Sequence, residues 1–207
     1  MAEAKRGRRR VRRVWSTPEL SSSELARLAG SPDHQGVVAE VDPYPYVDPD
    51  SLLDRPGALV VALDQVQDPR NLGAVCRSAE AVGAAGLVIP SRRSAAITGA
   101  ACKASAGAVE HLPVARVTNL ADWLTRAKGS GAWVYGAEAG AETPYAQADL
   151  SGKMVQVLGG EQRGLRRRVS ETCDLLISIP VRGQVGSLNV SAAAAVLLFE
   201  AARQRGA

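Results

Sequence analysis

From Ala58 onward the sequence alternates short, unbroken apolar runs with segments of helical spacing, and this alternation constrains the fold more than any other feature. The apolar runs fall at residues 58–63, 86–89, 114–117, 132–135, 154–158 and 175–179. Helical patterns lie between and after them, at about 70–83, 95–104, 119–128, 164–171 and 188–204. A strand with one wet face alternates polar and apolar residues. A strand that is apolar throughout must be covered on both faces, which is the condition of a parallel sheet between two helical layers. The expected fold class is therefore α/β with a mostly parallel sheet. Aromatic residues make up only 4% of the chain, so the core has to be filled by Val, Leu, Ile and Ala.

Residues 1–56 read differently. Pro43, Pro45, Pro49 and Pro56 forbid long regular elements, and the one amphipathic stretch, 23–29, is short. A basic arm, a small module and a linker over about 42–57 are expected here, with the main domain at 57–207. The arm, residues 1–13, carries Lys5, Arg6, Arg8, Arg9, Arg10, Arg12 and Arg13 against the single acid Glu3. That excess is larger than the net charge of +4 of the whole chain, so the remainder is slightly acidic. A cationic block on a near-neutral body suits a polyanionic partner, and Arg70 further along is a candidate for the same contact. The alternatives are a solvated tail, or a strand over residues 8–15.

Several function classes drop out. Cys76, Cys102 and Cys173 are scattered and odd in number, and the histidines are only His34 and His111, so neither a disulfide framework nor a metal site is expected. No apolar run reaches spanning length and the first residues lack a signal core, which gives the expectation of a cytoplasmic protein without a membrane partner. The first strand is not followed by G-x-G-x-x-G. Gly159 and Gly164 have P-loop spacing, but Leu165 and Arg166 follow where Lys and Ser/Thr are needed. No G-x-S-x-G elbow occurs.

Three segments carry chemistry-bearing residues. In the first, Asp68 and Pro69 begin a helix in which Leu72, Val75, Cys76, Ala79 and Val82 form the buried stripe, while Arg70, Gly73 and Arg77 share another face. Gly73 is costly in a helix, by about 1 kcal/mol relative to Ala, and is read as leaving room for a phosphate or ribose. The second segment, residues 157–165, is a strand running into a glycine-rich turn that holds Glu161. Glycines at a strand's carboxyl end let backbone approach a ligand. In the third, residues 177–191, Ser187 or Asn189 caps an alanine-rich helix whose amino end attracts electron-rich groups.

In order and spacing these segments resemble the three motifs of the SpoU (TrmH-like) ribose 2′-O-methyltransferases of the SPOUT superfamily. Asn71, Gly73 and Arg77 match the first motif; Gly159, Glu161, Gly164 and Leu165 the second; and residues 187–191, Ser-Leu-Asn-Val-Ser, the third. The stretches 92–94, 105–111 and 113–120 are most similar to the branch that methylates a guanosine in large-subunit ribosomal RNA. Residues 34–37 resemble the end of that branch's L30e-like RNA-binding module, of which this chain has a shortened copy.

The resemblance implies a trefoil-knotted domain, a homodimer, and S-adenosylmethionine held by backbone around Gly159, Ile179 and Leu188. It implies catalytic roles for Asn71, Arg77, Glu161, Ser187 and Asn189. Arg77 is central among them. Because a guanidinium effectively never deprotonates, it is read as a phosphate clamp and a stabiliser of the developing alkoxide, with Asn71, Glu161 and Asn189 holding it and the ribose in place. His111 is either a base or a structural loop histidine. Transfer RNA is the alternative substrate. A fold-keeping RNA-binding factor without turnover, or an unrelated α/β nucleotide enzyme, are the alternative functions.

Overall fold

The computed structural model describes residues 7–160 and 163–206, and the chain divides into two units at Pro45/Tyr46. In the first unit, strand β1 (Val11–Ser16) pairs antiparallel with β2 (Val37–Val41), and helix α1 (Ser22–Ala29) lies between them in sequence. Ser21 and Glu24 close a capping box at the start of α1, and Gly30 ends the helix at φ 65°. Leu25 is fully buried. The end of the basic arm is thus the β1 strand, the alternative that the sequence had left open. Arg12 is paired to Asp42, the Arg9 guanidinium lies 5.9 Å from the ring centre of Tyr44, and that of Arg13 lies 5.1 Å from Trp15. Lys5 and Arg6 fall outside the described residues.

The second unit is a seven-stranded sheet. Its strands are β3 (Leu59–Asp64), β4 (Gly86–Pro90), β5 (Val114–Val117), β6 (Trp133–Ala137), β7 (Thr143–Pro144), β8 (Met154–Gly159) and β9 (Leu175–Ser178). They lie in the order β5-β4-β3-β8-β6-β9-β7, and every pairing is parallel. All six residues of β3 are buried. The short edge strand β7 has no apolar run behind it, which is why sequence reading does not find it.

Helices α2 (Pro69–Ala81), α3 (Gly99–Ala104), α4 (Leu120–Gly129), α5 (Arg167–Thr172) and α6 (Val190–Gln204) fill the crossovers and the end of the chain. One sheet face carries Val60, Ala62, Val134, Val155 and Val157 into a cluster with Trp123, Leu124 and Ala127 of α4 and Val169 of α5. α6 packs on β8 and α2, and α2 packs on α3. No helix among the described residues is long and apolar enough to cross a membrane.

Two helices begin later than the spacing predicts. Thr98 caps α3, and the backbone N–H of Arg166, just before α5, is taken by the Asp64 carboxylate.

Gly73 corrects the sequence reading. It is buried, and a Cβ there would run into the Ala101 carbonyl, lie 2.7 Å from Ala104 Cβ and 2.9 Å from Ser105 N. The space is filled by α3, so no ligand approaches the helix there. Gly73→Ala gains about 1 kcal/mol of helix propensity but meets backbone that cannot rotate away, an overpacking cost of about 1–3 kcal/mol. The expected result is a net loss of up to about 2 kcal/mol, seen as a lower urea midpoint with unchanged slope. A midpoint that rises would show that α3 yields freely.

Candidate active site

At the carboxyl ends of β3 and β8, one buried acid fastens the chain. Asp64 is 0% exposed and accepts from the Arg166 backbone N–H at 2.8 Å and from Arg166 Nε at 2.7 Å, with Nη2 also at 2.7 Å. The Asp64 carbonyl accepts from Gly160 N at 2.9 Å. Residue 64 therefore ties both ends of the 160–166 turn to β3. Sequence reading passed over Asp64 because it resembles any polar residue closing a strand.

The glycines of this turn serve chain against chain. A Cβ on Gly159 would overlap the Gly164 carbonyl and Leu165 N, and one on Gly160 would stand 2.6 Å from the Gln65 carbonyl. Gly164 is left-handed at φ 62° and donates its N–H to the Gly160 carbonyl at 3.0 Å. Glu161, the acid expected in this turn, lies outside the described residues.

Beside the turn is a cleft of about 210 Å³. It is lined by Ala137, Leu158 and Ile177, by Gly159, Gly160 and Gly164 of the turn, and by Ile179, Val181, Ser187, Leu188, Val190 and Ala193. Gly159, Ile179, Leu188 and Ser187, four residues singled out in the sequence, thus share one cavity. Its walls are apolar side chains and main chain, with Glu138 the one charged side chain on them among the described residues. Ser170 Oγ donates to the Glu138 carboxylate at 3.2 Å. Glu138 sits in no motif, and nothing in its alanine- and glycine-rich surroundings would have flagged it.

Asn189, not Ser187, caps α6, its side chain accepting from Ser191 N at 2.8 Å and Ser191 Oγ at 2.6 Å. Its Nδ2 donates to Asn71 Oδ1 at 3.2 Å, which joins the first and third segments. Arg77 is exposed on α2 and makes no hydrogen bond or ion pair among the described residues, so neither asparagine holds it. Arg70 is likewise exposed, in the first turn of α2. His111 precedes β5 and so stands at the amino end of the parallel sheet, away from the cleft. That position fits the reading of His111 as a structural loop histidine. Burial pushes the thiols of Cys76 and Cys173 up to about 12, so neither offers a thiolate nucleophile near neutral pH.

Residues 58–199, which hold the whole cleft, match the family model described as the SpoU rRNA Methylase family. The chain belongs to that family. Residues 2–47 match a second model, described as RNA 2′-O ribose methyltransferase substrate binding. SpoU-family relatives include a Synechocystis protein called an uncharacterized tRNA/rRNA methyltransferase, 45% identical over 193 residues covering 91% of this chain and 50% of its own length. A Mycobacterium ulcerans protein of the same description is 47% identical over 195 residues, 90% of this chain and 62% of its own. The chain thus spans about half to three-fifths of the curated relatives it matches. Among solved structures, the SpoU methyltransferase AviRb from Streptomyces viridochromogenes in complex with AdoMet superimposes with a TM-score of 0.82 at 30% identity, covering 99% of this chain and 87% of AviRb.

Proposed function

We propose that this SpoU-family chain transfers a methyl group from S-adenosylmethionine to a ribose 2′-hydroxyl of structured RNA, with a guanosine of large-subunit ribosomal RNA as the preferred target. The observation that carries the reading is the convergence of three distant segments. Gly159, Ile179 and Leu188 line one cleft, and the Asn71–Asn189 hydrogen bond fastens α2 to the start of α6 beside it.

The residues present fit the donor. Ile179 and Leu188 form an apolar ledge for adenine, which needs burial and backbone hydrogen bonds more than charge. Glu138 is placed to accept from hydroxyl groups of the bound nucleoside. When bound, S-adenosylmethionine supplies a methyl group on a sulfonium already activated for in-line displacement.

What remains for the protein is alignment, worth roughly 7–11 kcal/mol in favourable cases, and charge stabilisation. Arg77, exposed and without a partner among the described residues, is the cation for the RNA: it holds the phosphate next to the target and stabilises the oxygen as the 2′-hydroxyl loses its proton. Asn71, Ser187 and Asn189 position the ribose, and Glu161 assists from the turn. Arg8, Arg9, Arg10, Arg12 and Arg13 with Arg70 extend the RNA contact, which the match of residues 2–47 to a substrate-binding model supports.

The proposal includes a functional division at 1–56 and 57–207, the knotted path of the family, a homodimer, and action in the cytoplasm, where RNA is modified. Support for the knot is the match of residues 58–199 to the SpoU rRNA Methylase family. Support for the dimer is apolar surface on α6 and the loop before it, where Phe199 is 55% and Val185 76% exposed.

Leu188→Asp tests the cleft. Removing one buried apolar contact costs about 1.5–3 kcal/mol, so donor affinity falls about tenfold or more in calorimetric titration. The melting temperature stays put because Leu188 is 44% exposed. Unchanged donor affinity would place the donor elsewhere.

A further inference from the structure

We propose that Arg92 and Arg93 form a second phosphate clamp on the methyltransferase unit, gripping the RNA backbone at the carboxyl end of the sheet. The inference rests on the reading of this chain as an RNA methyltransferase and assigns a role to an arginine pair that lies outside its three motifs.

The loop 91–98 joins β4 to α3 and is fastened on both sides of this arginine pair. Ahead of it, Ser91 N donates to the Val117 carbonyl at 2.8 Å, and the Ser91 carbonyl accepts from Arg116 Nη2 at 2.7 Å. Behind it, Ser94 Oγ and Ala95 N donate to the Val66 carbonyl at 3.3 and 2.8 Å, and Ile97 N donates to Tyr46 Oη at 3.0 Å. Arg116 is itself steadied by Tyr46, 5.2 Å from its ring centre. The loop is therefore held from β5, from the β3–α2 connection and from Tyr46. Arg92 and Arg93, between the two sets of bonds, take no part in this fastening. Both are exposed, and neither makes a hydrogen bond or ion pair among the described residues.

Arg93 adopts φ 56°, the left-handed region that side chains disfavour, so the fastening holds it against its own preference. Two exposed guanidiniums without partners among the described residues, on a loop already held in place, are preorganised for an anion, and guanidinium forks suit phosphate oxygens.

Position points to the same strand of RNA as the cleft. Ser94 and Ala95 bond to Val66, next to Gln65, whose carbonyl lies against Gly160 of the cleft wall. Val66 is followed within four residues by Arg70, so Arg92, Arg93 and Arg70 belong to one run of connected loops, with Asp68 spent on capping α2. By contrast, Arg167 and Arg168 are already paired with Glu171 and Asp122.

The test measures affinity for an in vitro transcript of large-subunit ribosomal RNA at several salt concentrations, with turnover under the same conditions. The variant is Arg92→Ala/Arg93→Gly, in which glycine accepts the left-handed backbone and keeps the loop. Two lost phosphate contacts should lower the slope of log affinity against log salt by about 1.4–1.8. KM for RNA should rise while kcat at saturating RNA and donor affinity hold. Arg92→Lys/Arg93→Lys should restore the slope, and Arg167→Ala/Arg168→Ala should leave it unchanged. Wild-type binding that weakens with salt, combined with an unaltered slope in the Ala/Gly variant, overturns the clamp and leaves the RNA reading intact. An equal fall in the Arg167/Arg168 control also overturns it, since general charge would then explain the effect. A wild-type chain that neither binds nor methylates RNA overturns the underlying reading, and the clamp with it.

Discussion

Arg77→Ala lowers methyl transfer by about 10²–10³-fold, the usual cost of removing one donor aimed at developing negative charge, while donor affinity stays within a few-fold. The reason for the separation is geometric. Arg77 is exposed on α2 and does not line the donor cleft. Its loss strands no buried group, and alanine is a better helix former than arginine, so stability should move by no more than about 0.5 kcal/mol. Single-turnover transfer to RNA beside calorimetric titration of the donor reads both arms. Near-normal turnover in the variant would take Arg77 out of the chemistry, and a parallel loss of donor affinity would place it in the cleft.

Asp64→Ala should give the largest structural effect. It removes a fully buried carboxylate that receives the Arg166 backbone N–H and the Nε and Nη2 donors along one edge of its guanidinium. Breaking a buried pair costs about 3–5 kcal/mol, but Arg166 is 43% exposed and its guanidinium regains water. About 2–4 kcal/mol is the expected loss after that discount. Because the carboxylate holds the Arg166 end of the 160–166 turn while the backbone carbonyl that alanine keeps still holds the Gly160 end, donor affinity should fall with stability, and Asp64→Asn should lie between wild type and Ala. Urea unfolding and donor titration check this. A change below about 0.5 kcal/mol with full donor affinity would mean that the glycine crossing alone fixes the turn.

The sheet was legible because a buried parallel strand leaves an unbroken apolar run: β5 coincides with residues 114–117, and β3, β4, β6, β8 and β9 lie within two residues of their runs. β7 was not, since two residues at an edge leave no pattern. The cleft residues Gly159, Ile179 and Leu188 were legible as motif positions. Their neighbours were not, because their importance arises from contacts across the chain. Asp64 matters through Arg166, about a hundred residues later. Gly73 matters through α3, and the sequence reading gave the right residue the wrong reason. Arg92 and Arg93 stood in plain view as a basic pair, but their fixation by Val66, Val117 and Tyr46 exists only in three dimensions.

The most direct test of the central claim is incubation of the purified chain with methyl-labelled S-adenosylmethionine and large-subunit ribosomal RNA, followed by digestion to nucleosides and separation. The expected product is a labelled 2′-O-methylguanosine that resists alkaline cleavage on its 3′ side and that forms about 10²–10³-fold more slowly with Arg77→Ala. Label found on a base, or no label on any RNA while the donor binds, would contradict ribose methylation.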